Sequence, residues 1–164
     1  MLFRSNANAV KELVVCGLLL ASRGIVQGSV FSSSLESSDD NALNQSVEKA
    51  KKTFKGNEVQ GKTLGIIGLG AIGSMVAQSA ASLGMKIIGY DPHISIDAAW
   101  RLPSDVEKAS SIPALLKKSD YISIHVPLID ETKNLVDSEA FMAMKTGTKL
   151  INLSRGGIVN DEHA

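Results

Sequence analysis

Gly68-Leu69-Gly70-Ala71-Ile72-Gly73 reads G-x-G-x-x-G, a spacing suited to holding a pyrophosphate. Each glycine has a separate task. Gly68 permits a tight turn. Gly70 lets the backbone approach a phosphate that any Cβ would strike. Gly73 lets a helix pack closely on a strand. The N–H groups of a helix opening here, with its dipole, supply the anion site. Asp91 follows 23 residues after Gly68, near the spacing at which an acid meets an adenosine ribose. A carboxylate there accepts hydrogen bonds from the ribose hydroxyls and repels a 2′-phosphate, which favours NAD over NADP. A helix cap or turn residue ahead of Pro92 is the plainer alternative for Asp91.

Two later segments carry unusual residues. In His125-Val126-Pro127-Leu128, Pro127 ends a strand and exposes backbone near Val126. His125 could be catalytic, but one histidine at a strand end reads first as structural. In Asn152-Leu153-Ser154-Arg155-Gly156-Gly157, a guanidinium at a strand tip is placed to clamp a carboxylate. A surface arginine after a strand would look the same.

The elements that must position these groups are legible from pattern. Leu64-Gly65-Ile66-Ile67 is a short apolar run, the mark of a buried parallel strand. Ile72, Met75, Val76, Ser79, Ala80 and Leu83 fall on one helical stripe that Gly84 stops. Strands are expected at 86–90, 121–126 and 149–153. Helices are expected from Ser111 to about 118 and from Asp137 or Ser138 to about 144. The alternation gives an α/β, Rossmann-type doubly wound parallel sheet, incomplete at the C-terminal end. Val10, Leu13, Val14, Gly17, Leu18 and Ala21 predict a buried opening helix over 6–23. Residues 29–46 hold seven serines and read as a polar surface loop. A short basic helix over 44–54 should follow, with Val47, Ala50 and Phe54 on one face. Its run of Lys49, Lys51, Lys52 and Lys55 reads first as a solvated face, with a phosphate-attracting patch as the alternative.

Composition bounds the rest. The chain has 164 residues, 44% of them hydrophobic and 21% charged, the profile of one globular domain. Lys plus Arg and Asp plus Glu number 17 each, so no bulk charge attracts nucleic acid or an anionic membrane. A single cysteine, Cys16, fits a reducing compartment, and a cytoplasmic location is expected. His93, His125 and His163 are too dispersed for a zinc site. The apolar stretch over 14–21 is too short to span a bilayer, and Glu12 stands where a signal peptide would be basic.

The four motifs together, with Gly61-Lys62-Thr63 ahead of the first strand, resemble the NAD-binding domain of the D-isomer-specific 2-hydroxyacid dehydrogenases. The resemblance implies an opening helix and polar loop over 1–60 and an NAD-binding domain over 61–164. It implies that Gly68, Gly70, Ala71, Ile72 and Gly73 serve the pyrophosphate and Asp91 the ribose. Val126 and Pro127 would line the cofactor cleft, and Leu153, Ser154 and Arg155 would approach the nicotinamide side. Arg155 would be the catalytic arginine, holding the carboxylate or carbonyl oxygen of a small 2-hydroxy acid. Asn6, at the edge of the match within Ser5-Asn6-Ala7-Asn8-Ala9-Val10, would contact substrate. His125 is not the family's catalytic histidine. A two-fold homodimer through the nucleotide domain is also implied.

The departures are equally informative. The family's catalytic histidine and its paired glutamate lie downstream of the arginine motif, and its substrate domain lies largely outside these 164 residues. The chain is therefore expected to act as a fragment that binds NAD without turnover. Another 2-hydroxyacid dehydrogenase and a non-catalytic dinucleotide-binding module are the alternatives. Asn160 stands where the family usually has aspartate, and caps a following helix equally well.

Overall fold

The computed structural model describes residues 6–36 and 39–163. Ser5, Ser37, Ser38 and Ala164 lie outside the described residues. Three helices come first: α1 (Ala7–Ser22), α2 (Ile25–Ser33) and α3 (Asp40–Ala50). There follow β1 (Thr63–Ile67), α4 (Ala71–Ser82), β2 (Lys86–Tyr90), α5 (Ile96–Ala99), β3 (Glu107–Lys108), α6 (Ile112–Lys118), β4 (Tyr121–Ile124), α7 (Ser138–Ala143) and β5 (Lys149–Asn152).

The sheet is parallel throughout, in the order β3-β2-β1-β4-β5. The chain runs one way from β1 to β3, then returns to start again at β4. The order therefore reverses between β1 and β4, where an open α/β sheet leaves a crevice at its carboxyl ends.

Burial on both faces explains the strand sequences. Leu64 and Ile66 enter one core with Val14 and Leu18 of α1 and Val76, Ala77 and Ala80 of α4. Ile67, Ile88, Ile122 and Ile124 enter the other with Leu115 and Leu116 of α6. Gly65 is required by the second layer: a Cβ there would lie 2.2 Å from Ser119 Oγ and 2.5 Å from a Leu115 methyl. Gly84 ends α4 with φ at +77°, the left-handed stop expected of it.

The opening helix forms as expected, but its buried stripe is rotated. Leu13 and Ala21 are exposed, and Ser22 takes an inner position. Ser22 Oγ shares a 2.7 Å hydrogen bond with the hydroxyl of Tyr121 on β4, so a polar residue holds the helix to the sheet.

The expected loop over 29–46 is corrected. Residues 29–33 continue α2, and α3 begins at Asp40. Its cap is Asp39, whose side chain accepts from Asn41 N at 2.9 Å. Serines close local bonds there: Ser33 Oγ donates to Ser29 O and Ser34 Oγ to Phe31 O. The basic helix expected over 44–54 ends at Ala50, and Phe54 lies in the turn beyond it.

Two elements are too short to carry a periodic apolar signal. β3 is a two-residue edge strand held to β2 by backbone pairing alone, and α5 is a single turn capped by Ser95. No single helix among the described residues is long and apolar enough to cross a membrane. The bent pair α1 and α2 passes that test jointly, across a 69° break.

Candidate functional site

The glycine turn is built as its spacing demands. Gly68 has φ +91°, and a Cβ on it would fall 2.8 Å from His125 O, because the ends of β1 and β4 pass closely. Gly73 carries the tightest constraint. A Cβ there would sit 2.0 Å from Gly68 O, so helix α4 rests directly on the turn. Gly70 differs from both. Nothing lies within 4 Å of its would-be Cβ, and it stands at the N-cap of α4, so the space before it is open to a ligand. Ala71 is the exposed first residue of α4.

Asp91 follows the last residue of β2 and does two things at once. Its Oδ2 accepts from Leu69 N at 2.8 Å, and its Oδ1 accepts from His93 N at 2.9 Å. The carboxylate thus holds the middle of the glycine turn. It also closes a turn across Pro92, the plainer role weighed for it. Each oxygen retains a further lone pair for a ribose hydroxyl.

Two clefts open at the carboxyl ends of the strands. One, of about 610 Å³, is bordered by Gly68, Gly70, Asp91, Val126 and Pro127. The other, of about 640 Å³, is bordered by Asn6, Ile72, Leu153, Ser154 and Arg155. His125, Val126 and Pro127 border both, so the clefts meet at the end of β4. Gly73 borders neither, being spent on packing.

Arg155 is exposed, and no carboxylate engages it among the described residues; its Nη1 donates to Ser154 O at 2.9 Å. Its backbone is fixed from below. Asn152 Nδ2 donates to Arg155 O at 2.9 Å, and Asn152 Oδ1 accepts from Ser154 N at 3.1 Å. Ser154 Oγ donates to Ile124 O at 2.6 Å, tying this turn to β4. Asn152 was not singled out from sequence. Its signal is an amide at the last position of a strand before a turn, where both its groups can bond backbone.

His125 lies mostly buried, and burial pushes its pKa down from 6.5 to about 4. Its Nε2 shares a 2.8 Å hydrogen bond with Ser123 Oγ, two residues earlier on the same face of β4. Its neutrality at pH 7 agrees with a structural reading: so weak a base takes protons poorly. His163 lies in a 3₁₀ turn and borders neither cleft. Asn160 Oδ1 accepts from Glu162 N at 3.1 Å, the capping expected of it. No group of three metal-ligating side chains is found among the described residues.

Comparison with known proteins agrees with this geometry. Residues 30–164 match the model of the D-isomer specific 2-hydroxyacid dehydrogenase NAD binding domain. The chain is 38% identical over 158 residues to D-3-phosphoglycerate dehydrogenase of Methanocaldococcus jannaschii, covering 96% of this chain and 28% of that protein. It is 44% identical over 115 residues to (S)-sulfolactate dehydrogenase of Chromohalobacter salexigens, covering 70% and 36%. Among solved structures, D-lactate dehydrogenase from Aquifex aeolicus, complexed with NAD and lactic acid, aligns with a TM-score of 0.75 and 28% identity. That alignment covers 96% of this chain and 43% of that one. The chain thus spans roughly a third of the length of these curated relatives.

Proposed function

Since the chain belongs to the D-isomer-specific 2-hydroxyacid dehydrogenases through their NAD-binding domain, we propose that it serves a D-3-phosphoglycerate dehydrogenase. The activity would be NAD-dependent oxidation of 3-phosphoglycerate to 3-phosphohydroxypyruvate, on the route to serine. The observation that carries this reading is the pair of clefts meeting at 125–127. Asp91 borders the outer cleft and Arg155 the inner one.

The residues fit the cofactor. Gly70 leaves space where backbone must approach a pyrophosphate, and α4 opens with its N–H groups toward that space. Ala71 and Ile72 would contact the phosphates and Asp91 the ribose. Val126 and Pro127 would line the passage between the clefts. Leu153, Ser154 and Arg155 would border the nicotinamide. When bound, NAD accepts the hydride from the carbon bearing the substrate hydroxyl.

Arg155 would hold the substrate carboxylate or polarise its carbonyl oxygen, with two parallel N–H donors matched to two oxygens. Asn6, on the rim of the same cleft, would add a polar contact. Among the described residues, the only other titratable side chain on that cleft is His125, too weakly basic to take the hydroxyl proton. General-base help alone is worth roughly 10²–10⁴-fold. The 164-residue chain should therefore bind NAD and leave 3-phosphoglycerate unoxidised.

The 44% identity to a sulfolactate dehydrogenase favours, as a second reading, a different 2-hydroxy acid as substrate. A homodimer through the nucleotide domain and a cytoplasmic location complete the proposal. Titration of the chain with NAD tests the cofactor, and the NADH absorbance with 3-phosphoglycerate, sulfolactate and lactate in turn tests the reaction. Absence of NAD binding would overturn the proposal. Turnover surviving further purification would overturn the assignment of His125.

A further inference from the structure

The lysines of the run are all exposed, as a solvated face requires, yet three of them also border one cleft. Lys51, Lys52 and Lys55 converge with Arg23, from the far end of α1, around one cleft of about 560 Å³. Among the described residues no acidic side chain borders it. Lys51 pairs with Glu48, whereas Arg23, Lys52 and Lys55 have no ion-pair partner among the described residues. Phe54, Ile25 and two glycines supply an apolar floor.

The backbone beside the cleft is closely packed. Gly24 N donates to Phe54 O at 3.1 Å, and a Cβ on Gly24 would fall 2.9 Å from Phe54 Cα. Gly56 has φ +60°, and a Cβ there would fall 2.1 Å from Ser22 O. Asn57 N donates to that same oxygen at 2.8 Å. The Phe54 ring packs on Phe31 with centroids 5.5 Å apart. These contacts fix the start of α2 against residues 51–57.

Arg23, Lys52 and Lys55 are like charges gathered on one cleft, and like charges repel one another. A chain with zero net charge has no general need to gather them. An anion offsets that repulsion, and a cleft of this size suits a small ligand. We propose that this cleft is a binding site for a small ligand carrying two or more linked phosphate groups. Arg23, Lys52 and Lys55 would bind the phosphates, and the Phe54 floor would bear the remainder of the ligand. The site is separate from the two clefts at the strand ends and shares no residue with them.

The test is calorimetric titration of the full chain with inorganic pyrophosphate, in the presence of saturating NAD to occupy the glycine turn. Pyrophosphate should bind under these conditions, and at least about tenfold more tightly than orthophosphate. Raising salt from about 0.05 to about 0.5 M should weaken it. The triple variant Arg23→Gln, Lys52→Gln, Lys55→Gln should lose at least about tenfold in pyrophosphate affinity, with NAD affinity and melting temperature unchanged. Binding that disappears when NAD is present, or that the triple variant retains in full, would overturn the proposal. Equal affinity for orthophosphate would overturn the requirement for linked phosphates.

Discussion

Replacing Asp91 separates its two roles. If the carboxylate only met a ribose, Asp91→Ala would change cofactor preference and leave stability alone. The structure requires more. Its Oδ2 accepts from the N–H of Leu69, a buried residue, at 2.8 Å, and its Oδ1 from His93 N at 2.9 Å. A hydrogen bond to a charged acceptor contributes roughly 1.5–3 kcal/mol, and a buried donor left without a partner costs about 1–3 kcal/mol. The His93 bond is exposed and counts for less. Asp91→Ala should therefore destabilise by about 2–3 kcal/mol. At about 2–4 °C per kcal/mol for a chain of this size, melting should fall by roughly 4–12 °C. Asp91→Asn keeps one carbonyl acceptor for Leu69 N and should lose about half as much.

Both variants remove the charge that repels a 2′-phosphate, so the NAD-over-NADP ratio should narrow by about tenfold, equivalent to about 1.4 kcal/mol. The alanine variant should in addition bind both cofactors less well, because its glycine turn has lost its tie. Thermal melts, with fluorescence titration of each cofactor, measure all of this. If Asp91→Ala melts within about 1 °C of the parent while only NAD affinity changes, the tie to Leu69 carries no weight and the reasoning fails.

Gly73→Ala should destabilise by more than about 2 kcal/mol, because its Cβ would meet Gly68 O. Alanine would otherwise be favoured by about 1 kcal/mol inside a helix. Gly70→Ala should leave melting nearly unchanged and weaken NAD binding, and a large loss of stability there would contradict the open space seen before it. Burial holds the folded-state pKa of His125 at about 4 against an unfolded value near 6.5. Its contribution is therefore full above pH 6.5 and is lost as pH falls toward 4, by roughly 3 kcal/mol. His125→Gln should flatten that acid limb in denaturant titrations at several pH values. Leu13, Val26 and Val30 are 59%, 57% and 66% exposed on α1 and α2. Light scattering should show a dimer that Leu13→Glu with Val30→Glu converts to monomer, and a monodisperse monomeric parent would count against the interface.

The strands and helices that bury apolar side chains were legible in the sequence, because burial leaves a pattern. Leu64, Ile66 and Ile67 announced β1, and the stripe ending at Leu83 announced α4. What escaped was held together by backbone or by local polar bonds. Glu107 and Lys108 join the sheet through main-chain pairing that leaves no side-chain signature. The serines of 29–34 suit a loop by composition, yet the hydroxyls of Ser33 and Ser34 bond carbonyls of α2. At the site, residue types and spacing located the glycine turn, Asp91 and Arg155. The second task of Asp91 was not legible, since it depends on a contact 22 residues away. Nor was the gathering of Arg23 with the lysines, which requires knowing how α1 meets the turn after α3.

Helix α1 has a mechanical consequence. Its far end is fastened to the sheet by the bond between Ser22 and Tyr121, while its near end presents Asn6 on the rim of the Arg155 cleft. Sixteen residues at about 1.5 Å each make a rod of roughly 24 Å. A tilt of about 5° about the fastened end would carry Asn6 by about 2 Å, enough to make or break a hydrogen bond at the rim. The helix is thus a lever with its fulcrum in the core and its working end at the cleft. Substitutions at Ser22 or Tyr121 would be felt at Asn6, without touching anything that borders the cleft.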